Sequence, residues 1–171
     1  NYFITVRNGN DYMIDNVRKG NEKVLVARLM DAKFFYEEDT KKSLESFVDG
    51  LDTIVFQQKL GTMRNKAERI EKSALMLADR LGIDKAHISR AALLCKADLT
   101  TAMVFEFPEL QGIMGRYYSM LDKENPAVSE AIYEHYLPRN ANDSLPQTST
   151  GILLSLADKM DSITGFFSIG I

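Results

Sequence analysis

Few side chains in this sequence are equipped for chemistry. Cys95 is the single cysteine, and His87 and His135 are the two histidines. One thiol and two imidazoles cannot assemble a Cys/His zinc cage, and a lone cysteine cannot close an internal disulfide. Asp158 and Asp161 stand three residues apart, close to one helical turn, so a shared divalent cation is one reading of the pair. With Lys159 between them, a solvated acidic pair is the simpler reading for Asp161. His135 falls on an apolar helical stripe, where a core histidine bonded to a neighbour is the ordinary expectation and a functional role the alternative. His87 is expected at the surface and carries no assignment. Neither histidine lies in a recognisable nucleophile motif. The glycines are scattered, and Gly112 to Gly115 fall inside a helical pattern, so no phosphate-cradling loop is visible.

The basic residues offer a different chemistry. Lys59, Arg64, Lys66, Arg69 and Lys72 gather around one stretch, with Arg116 and Arg139 further along. Cations sharing a face neutralise RNA phosphates. Glu68 and Glu71 dilute the run, so a solvated charged face competes with RNA contact. Met114, Tyr117 and Tyr118, at helical spacing, read as core.

The elements that position these groups are mostly helices. Tyr2 to Val6 is aromatic and β-branched and runs into Asn8-Gly9-Asn10-Asp11, which predicts a short strand and a turn. Asn21 can cap a connector helix over about Glu22 to Glu38, with Leu25, Val26, Leu29, Met30 and Phe34 as its stripe. Lys41 to Phe56 is ambiguous between a short strand and a helical turn. Beyond Gly61, Ile70, Ala74, Leu77, Ala78 and Leu81 form a first amphipathic helix, capped by Thr62 or Asn65 and ended by Gly82. Asp84 is positioned to cap a second helix through Ile88, Ala91, Ala92, Cys95, Leu99, Ala102 and Met103, which must stop at Phe107-Pro108. A third carries Leu110, Ile113, Met114, Tyr117 and Leu121; a fourth starts after Pro126 and carries Val128, Ala131, Ile132 and His135. After a polar loop from Pro138 to Pro146, Ser149 can cap a fifth through Leu153, Leu156, Ala157, Met160 and Ile163. The fold class is therefore mainly α, a bundle of about five helices preceded by a short strand and a connector helix. The division expected is 1–50 for the connector and the end of an upstream domain, and 51–171 for the bundle.

Composition bounds the answer further. At 171 residues and 45% hydrophobic content the chain can bury its own core, and no window reaches the roughly 18 apolar residues of a membrane span. A net charge of −3 gives no overall electrostatic footprint for nucleic acid, although a local basic face is compatible with it. The chain lacks an initiating methionine and finishes on the apolar Ser168-Ile169-Gly170-Ile171, so it reads as an internal piece of a longer protein.

Particular strings say more than periodicity. Phe35-Tyr36-Glu37-Glu38-Asp39, Phe56-Gln57-Gln58-Lys59-Leu60-Gly61-Thr62, Lys96-Ala97-Asp98-Leu99, Glu106-Phe107-Pro108-Glu109-Leu110-Gln111-Gly112-Ile113-Met114-Gly115-Arg116-Tyr117-Tyr118, Glu134-His135-Tyr136-Leu137-Pro138-Arg139 and Leu156-Ala157-Asp158-Lys159-Met160-Asp161 follow one another in this order. Together they closely resemble the glycyl-tRNA synthetase β subunit of the bacterial tetrameric type, over essentially the whole chain. The resemblance implies an HD-like helical domain within a cytoplasmic ligase of two α and two β subunits. It also implies that the α subunit uses ATP and Mg to activate glycine, while the β subunit recognises glycine tRNA. This stretch would then support aminoacylation through tRNA contact and subunit assembly, with no catalytic residue and no cofactor of its own. Lys59, Arg64, Lys66, Arg69, Arg116 and Arg139 are the candidate RNA contacts.

The HD resemblance carries over residue by residue. An active HD phosphohydrolase sets a histidine on its first helix, a His-Asp dyad on its second and an aspartate on its last, around a divalent ion that activates water. Here Lys66 occupies the first position, Cys95-Lys96 the dyad, and only Asp158 matches. The expectation is a vestigial site of Lys66, Cys95, Lys96, His135 and Asp158 without metal, in which lysine charge replaces metal charge. The alternative is that both lysines point to water. A metal-dependent phosphohydrolase and a purely structural spacer remain as competing functions.

Overall fold

In the computed structural model, which describes residues 2–171, the chain is mainly α. Helix α1 spans Ile14–Asp39 and starts well before Asn21, which lies inside it. Gly20 does not break it, since an interior glycine costs only about 1 kcal/mol. Its expected stripe stays largely uncovered, with Val26, Leu29, Met30 and Phe34 all exposed. Only its last turns meet the bundle, where Asp39 is buried. No strand forms at Tyr2 to Val6, because no second strand lies alongside to satisfy its backbone. The ambiguous stretch becomes a 3-10 helix, Leu44–Asp52, followed by a small antiparallel hairpin of β1 (Val55–Gln57) and β2 (Gly61–Thr62).

Helix α2 (Met63–Leu81) has the expected ends: Thr62 and Asn65 cap it reciprocally, and Gly82 closes it at φ 65. The second helix expected from Asp84 is not continuous. It divides into α3 (Ile88–Leu94), a 3-10 turn (Ala97–Thr100) and α4 (Ala102–Glu106), broken at Cys95-Lys96. Two caps explain the break: Thr101 Oγ1 accepts from Val104 N, and the Asp39 carboxylate accepts from Ala102 N and Met103 N at 2.9 Å each. Asp84 accepts from Ala86 N in a turn and starts no helix. Phe107-Pro108 ends α4 as expected.

Three further helices complete the bundle: α5 (Ile113–Leu121), α6 (Pro126–Glu134) and α7 (Ser149–Ser168). Gly112 lies just outside α5 rather than within it, and Thr148, not Ser149, caps α7. Met114 and Tyr118 are core, whereas Tyr117, Leu121, Leu156, Met160 and Ile163 are exposed. His87 is half-buried. One core takes in Ile70, Ala74, Ala91, Ile132, Leu153 and Leu154 together with Leu44 and Val48, so it draws on both sides of residue 50. Helix α7 packs on α2 and α6, and α3 packs on α2 and α6. Those four elements enclose the polar centre.

Candidate functional site

Asp158 projects from α7 into the space between α2, the α3 end and α6. Lys66 Nζ from α2 meets its Oδ1 at 2.8 Å, and Lys96 Nζ meets its Oδ2 at 2.8 Å. Both lysines are only 3% exposed. An ammonium buried this deeply is tolerated only when opposite charge and acceptors surround it. Lys66 has them, since it also reaches Asp161 Oδ2 at 3.1 Å and donates to Ser162 Oγ at 2.8 Å. Aromatic faces complete the cage, with Lys66 Nζ 4.4 Å from the Phe56 ring centre and Lys96 Nζ 4.0 Å from that of Tyr136. Burial pushes the Asp158 carboxyl up, but Lys96 and Lys66 outweigh burial and hold it below the usual carboxylate range. It is an anion at neutral pH.

The solvated reading of Asp161 is wrong. Its side chain is buried, and Arg69 Nε sits 2.5 Å from Oδ1 while Lys66 holds Oδ2. The acidic pair is compensated by three cations on a facing helix and turn, which helical spacing along α7 alone could not reveal.

His135 closes α6 and is fully buried. Its Nδ1 lies 2.7 Å from Ile132 O, so Nδ1 carries the proton and Nε2 presents a lone pair that no protein group satisfies. Burial, reinforced by Lys96, pushes this imidazole well below its ordinary value, and it is neutral at pH 7. Burial likewise pushes the Cys95 thiol up to about 12, and its Sγ contacts Ala92 O. A protonated buried thiol is an inert core group.

The sequence reading missed Asp98. This fully buried carboxylate accepts from Gly112 N at 2.6 Å and Gly115 N at 3.0 Å through Oδ2, while Oδ1 is left without a partner. Burial pushes it up to about 6, against the pull of those two amides. Both glycines are required. Gly112 has φ 77, and a Cβ there would lie 2.5 Å from Tyr136 Cδ2; a Cβ on Gly115 would lie 2.8 Å from Ile132 Cγ2. A Gly-x-x-Gly spacing on an otherwise apolar stripe was the available signal of a close approach.

The six expected RNA contacts do not share one free face. Lys66 is buried, Arg69 is bound to Asp161, and Arg64 lies 3.6 Å from Glu68. Arg116 pairs with Glu130 at 3.1 Å. Lys59 and Arg139 are exposed and have no carboxylate partner among the described residues, and Lys72 is exposed as well. Arg116 and Arg139 both lie near the Tyr133 ring, 5.4 and 5.5 Å from its centre.

The donor set does not suit a divalent ion. Two ammonium groups occupy both oxygens of the carboxylate that would ligate it, and they repel any second cation. Among the described residues, no group of three or more His, Cys, Asp or Glu is placed to hold a metal.

The family model described as glycyl-tRNA synthetase beta subunit matches residues 1–171. The chain belongs to that family. A "Glycine--tRNA ligase beta subunit" of Clostridioides difficile (strain 630) is 60% identical over 171 residues, covering 99% of this chain and 25% of the relative. Its counterpart from Bacillus subtilis (strain 168) is 50% identical over 173 residues, covering 99% of this chain and 26% of the relative. The chain thus spans about a quarter of the length of the curated relatives it matches. No described helix is long and apolar enough to cross a membrane.

Proposed function

We propose that this stretch is a non-catalytic helical part of a cytoplasmic glycine–tRNA ligase, working in tRNA contact and in assembly with an α subunit as two α and two β chains. ATP and Mg act at the α subunit, and the polar centre described above is a degenerate HD site. The observation that supports the non-catalytic reading is the Lys66–Asp158–Lys96 arrangement. With both carboxylate oxygens engaged, the imidazole neutral and the thiol protonated, no group is left poised to activate water or a metal. That counts against the phosphohydrolase reading. The structural-spacer reading draws on the Arg64–Glu68 and Arg116–Glu130 pairs, which occupy two of the expected RNA contacts.

Charge reversal separates contact from spacing. In the complete two-subunit enzyme, reversing Lys59, Lys72 and Arg139 together is expected to weaken tRNA binding, and the log-affinity versus log-salt slope should fall by somewhat less than about one per true phosphate contact. An unchanged affinity and slope would leave spacing as the role.

A further inference from the structure

Residues Tyr2 to Val6 run without helix, turn or bend, and their side chains alternate in exposure. Tyr2, Ile4 and Val6 are 92%, 82% and 96% exposed, while Phe3, at 41%, is the most covered of the apolar residues. Thr5, on the Phe3 side, accepts from Asn21 Nδ2 of α1 at 3.4 Å. That period of two belongs to a β-strand resting one face on a helix. The chain then reverses. Arg7 Nη1 donates to Tyr12 O at 2.8 Å, and α1 returns along the segment, so that Asn21 meets a residue 16 positions before it. Strand, turn and covering helix are the parts of an α/β layer.

The backbone of this segment is unpaired. No N–H or C=O of Tyr2 to Val6 takes part in a hydrogen bond among the described residues. Consecutive peptide units therefore present donors and acceptors along both edges, in a stretch too apolar for a solvated linker. Edge strands that stay exposed are commonly protected by lysine or proline, and residues 2–6 hold neither. An open groove of about 560 Å³ lies between the segment and α1, bounded on the helix by Ile14, Val17 and Asn21. Helix α1 alone does not fill it.

We infer that Tyr2 to Val6 is one strand of a β-sheet whose other strands come from the part of the same subunit outside these 171 residues. The first half of α1 packs on one face of that sheet. The unpaired row of N–H and C=O groups specifies the occupant, because another strand backbone is what matches its spacing. The Tyr2, Ile4 and Val6 row is then the second face of the sheet, apolar and in need of its own cover. Supply from the same subunit follows from length and strength. The chain spans about a quarter of the length of its relatives, so most of the subunit is available to pair with it. A strand this short, shared between separate molecules, makes too few bonds to hold them, whereas a tethered partner is already at high local concentration. None of the cations considered for tRNA contact lies in residues 2–39, so the inference stands apart from that reading.

The test follows backbone hydrogen–deuterium exchange in the full-length β subunit, alone and after addition of the α subunit. In the β subunit alone, alternate amides among Phe3 to Val6 should exchange about a hundredfold more slowly than in an unstructured peptide of that sequence, since a neighbour on one side engages every second amide. Ile4→Asp should reduce this protection by about tenfold or more and should also speed exchange in one second segment outside residues 2–171, which identifies the paired strand. Exchange within Ile70 to Ala78 of α2 should stay as in the parent, because Ile4 is not part of the bundle core. Ile4→Val should keep the parental protection. An unpartnered segment would ignore Ile4→Asp, the side chain being exposed. Exchange at the unstructured rate in the full-length subunit would overturn the inference. So would protection that grows with subunit concentration, which marks a second copy, or protection that appears only with the α subunit. Protection in the parent that Ile4→Asp leaves unchanged, or a loss confined to Tyr2 to Val6 with no second segment affected, would overturn it as well.

Discussion

Asp158 and Asp98 both lie in the polar interior of this bundle, and they are compensated by different means. Asp158 sits between two ammonium groups, each 2.8 Å away, and its carboxyl is held below the usual range. Asp98 has only the peptide N–H groups of Gly112 and Gly115 on one oxygen and nothing on the other, and burial pushes it up to about 6. Two ammonium groups in direct contact outweigh desolvation, whereas two peptide dipoles and the Lys96 charge beyond ion-pair distance do not. The first centre ties α2, the turn after α3 and α7 together through charge. The second fixes the start of α5 against the turn after α3 at a standing electrostatic cost.

The sharpest way to break this contrast is to unpair the first centre. Lys96→Ala leaves Asp158 with one ammonium and strips the cation from the Tyr136 face, and should destabilise the fold by about 3 to 5 kcal/mol in urea unfolding. Asp158→Asn added to that variant should restore part of the loss, because the stranded charge is gone. A Lys96→Ala protein as stable as the parent would show that Lys66 alone compensates Asp158.

The second centre has a pH signature of opposite sign. Asp98 has a folded pKa of about 6 against an ordinary value of 3.8, so the folded state binds the extra proton between those values. Its contribution to stability should therefore improve as pH falls through about 6 toward 3.8, by about 3 kcal/mol if the whole shift is expressed. Asp158 behaves in the reverse sense: its stabilisation is present above 3.8 and is lost as pH falls through its lower folded value. Comparing urea midpoints of the parent and Asp98→Asn at pH 7 and pH 4.5 isolates the first effect. The parent should gain on the variant at the lower pH, and parallel midpoints would mean that Asp98 is compensated by something other than the two amides.

A smaller effect sharpens the geometry. Gly115→Ala places a methyl 2.8 Å from Ile132 Cγ2 and 3.1 Å from Asp98 Oδ2, so α5 must shift away from α6 at a cost of about 1 to 3 kcal/mol. Calorimetric melting of this variant should also show a stronger pH dependence above 3.8, since the shift lengthens the Gly115 contact that holds the Asp98 carboxyl down and so lets burial push it further up.

Much of the architecture was written locally. Thr62, Asn65 and Gly82 delimit α2, and Pro108 stops α4, because capping and proline act within a few residues. The candidate lysines could be named from the positions they share with the HD pattern. Their pairing could not be read from spacing, since Lys66 and Asp161 are 95 residues apart. The second expected helix failed for a related reason. Its apolar positions keep helical phase across Cys95-Lys96, and the break is imposed by Asp39, more than 60 residues upstream, taking the Ala102 and Met103 amides.

What the sequence by itself determined is the helical class, most helix ends and, through its ordered strings, the family. Tertiary structure decided which charges are buried. It set Lys66 and Lys96 on one carboxylate, took Asp161 out of water, left the α1 stripe uncovered and turned His135 Nε2 toward no partner. The physical reason is range: propensity and caps act between neighbours along the chain, while desolvation and charge pairing depend on which distant helices happen to enclose a side chain.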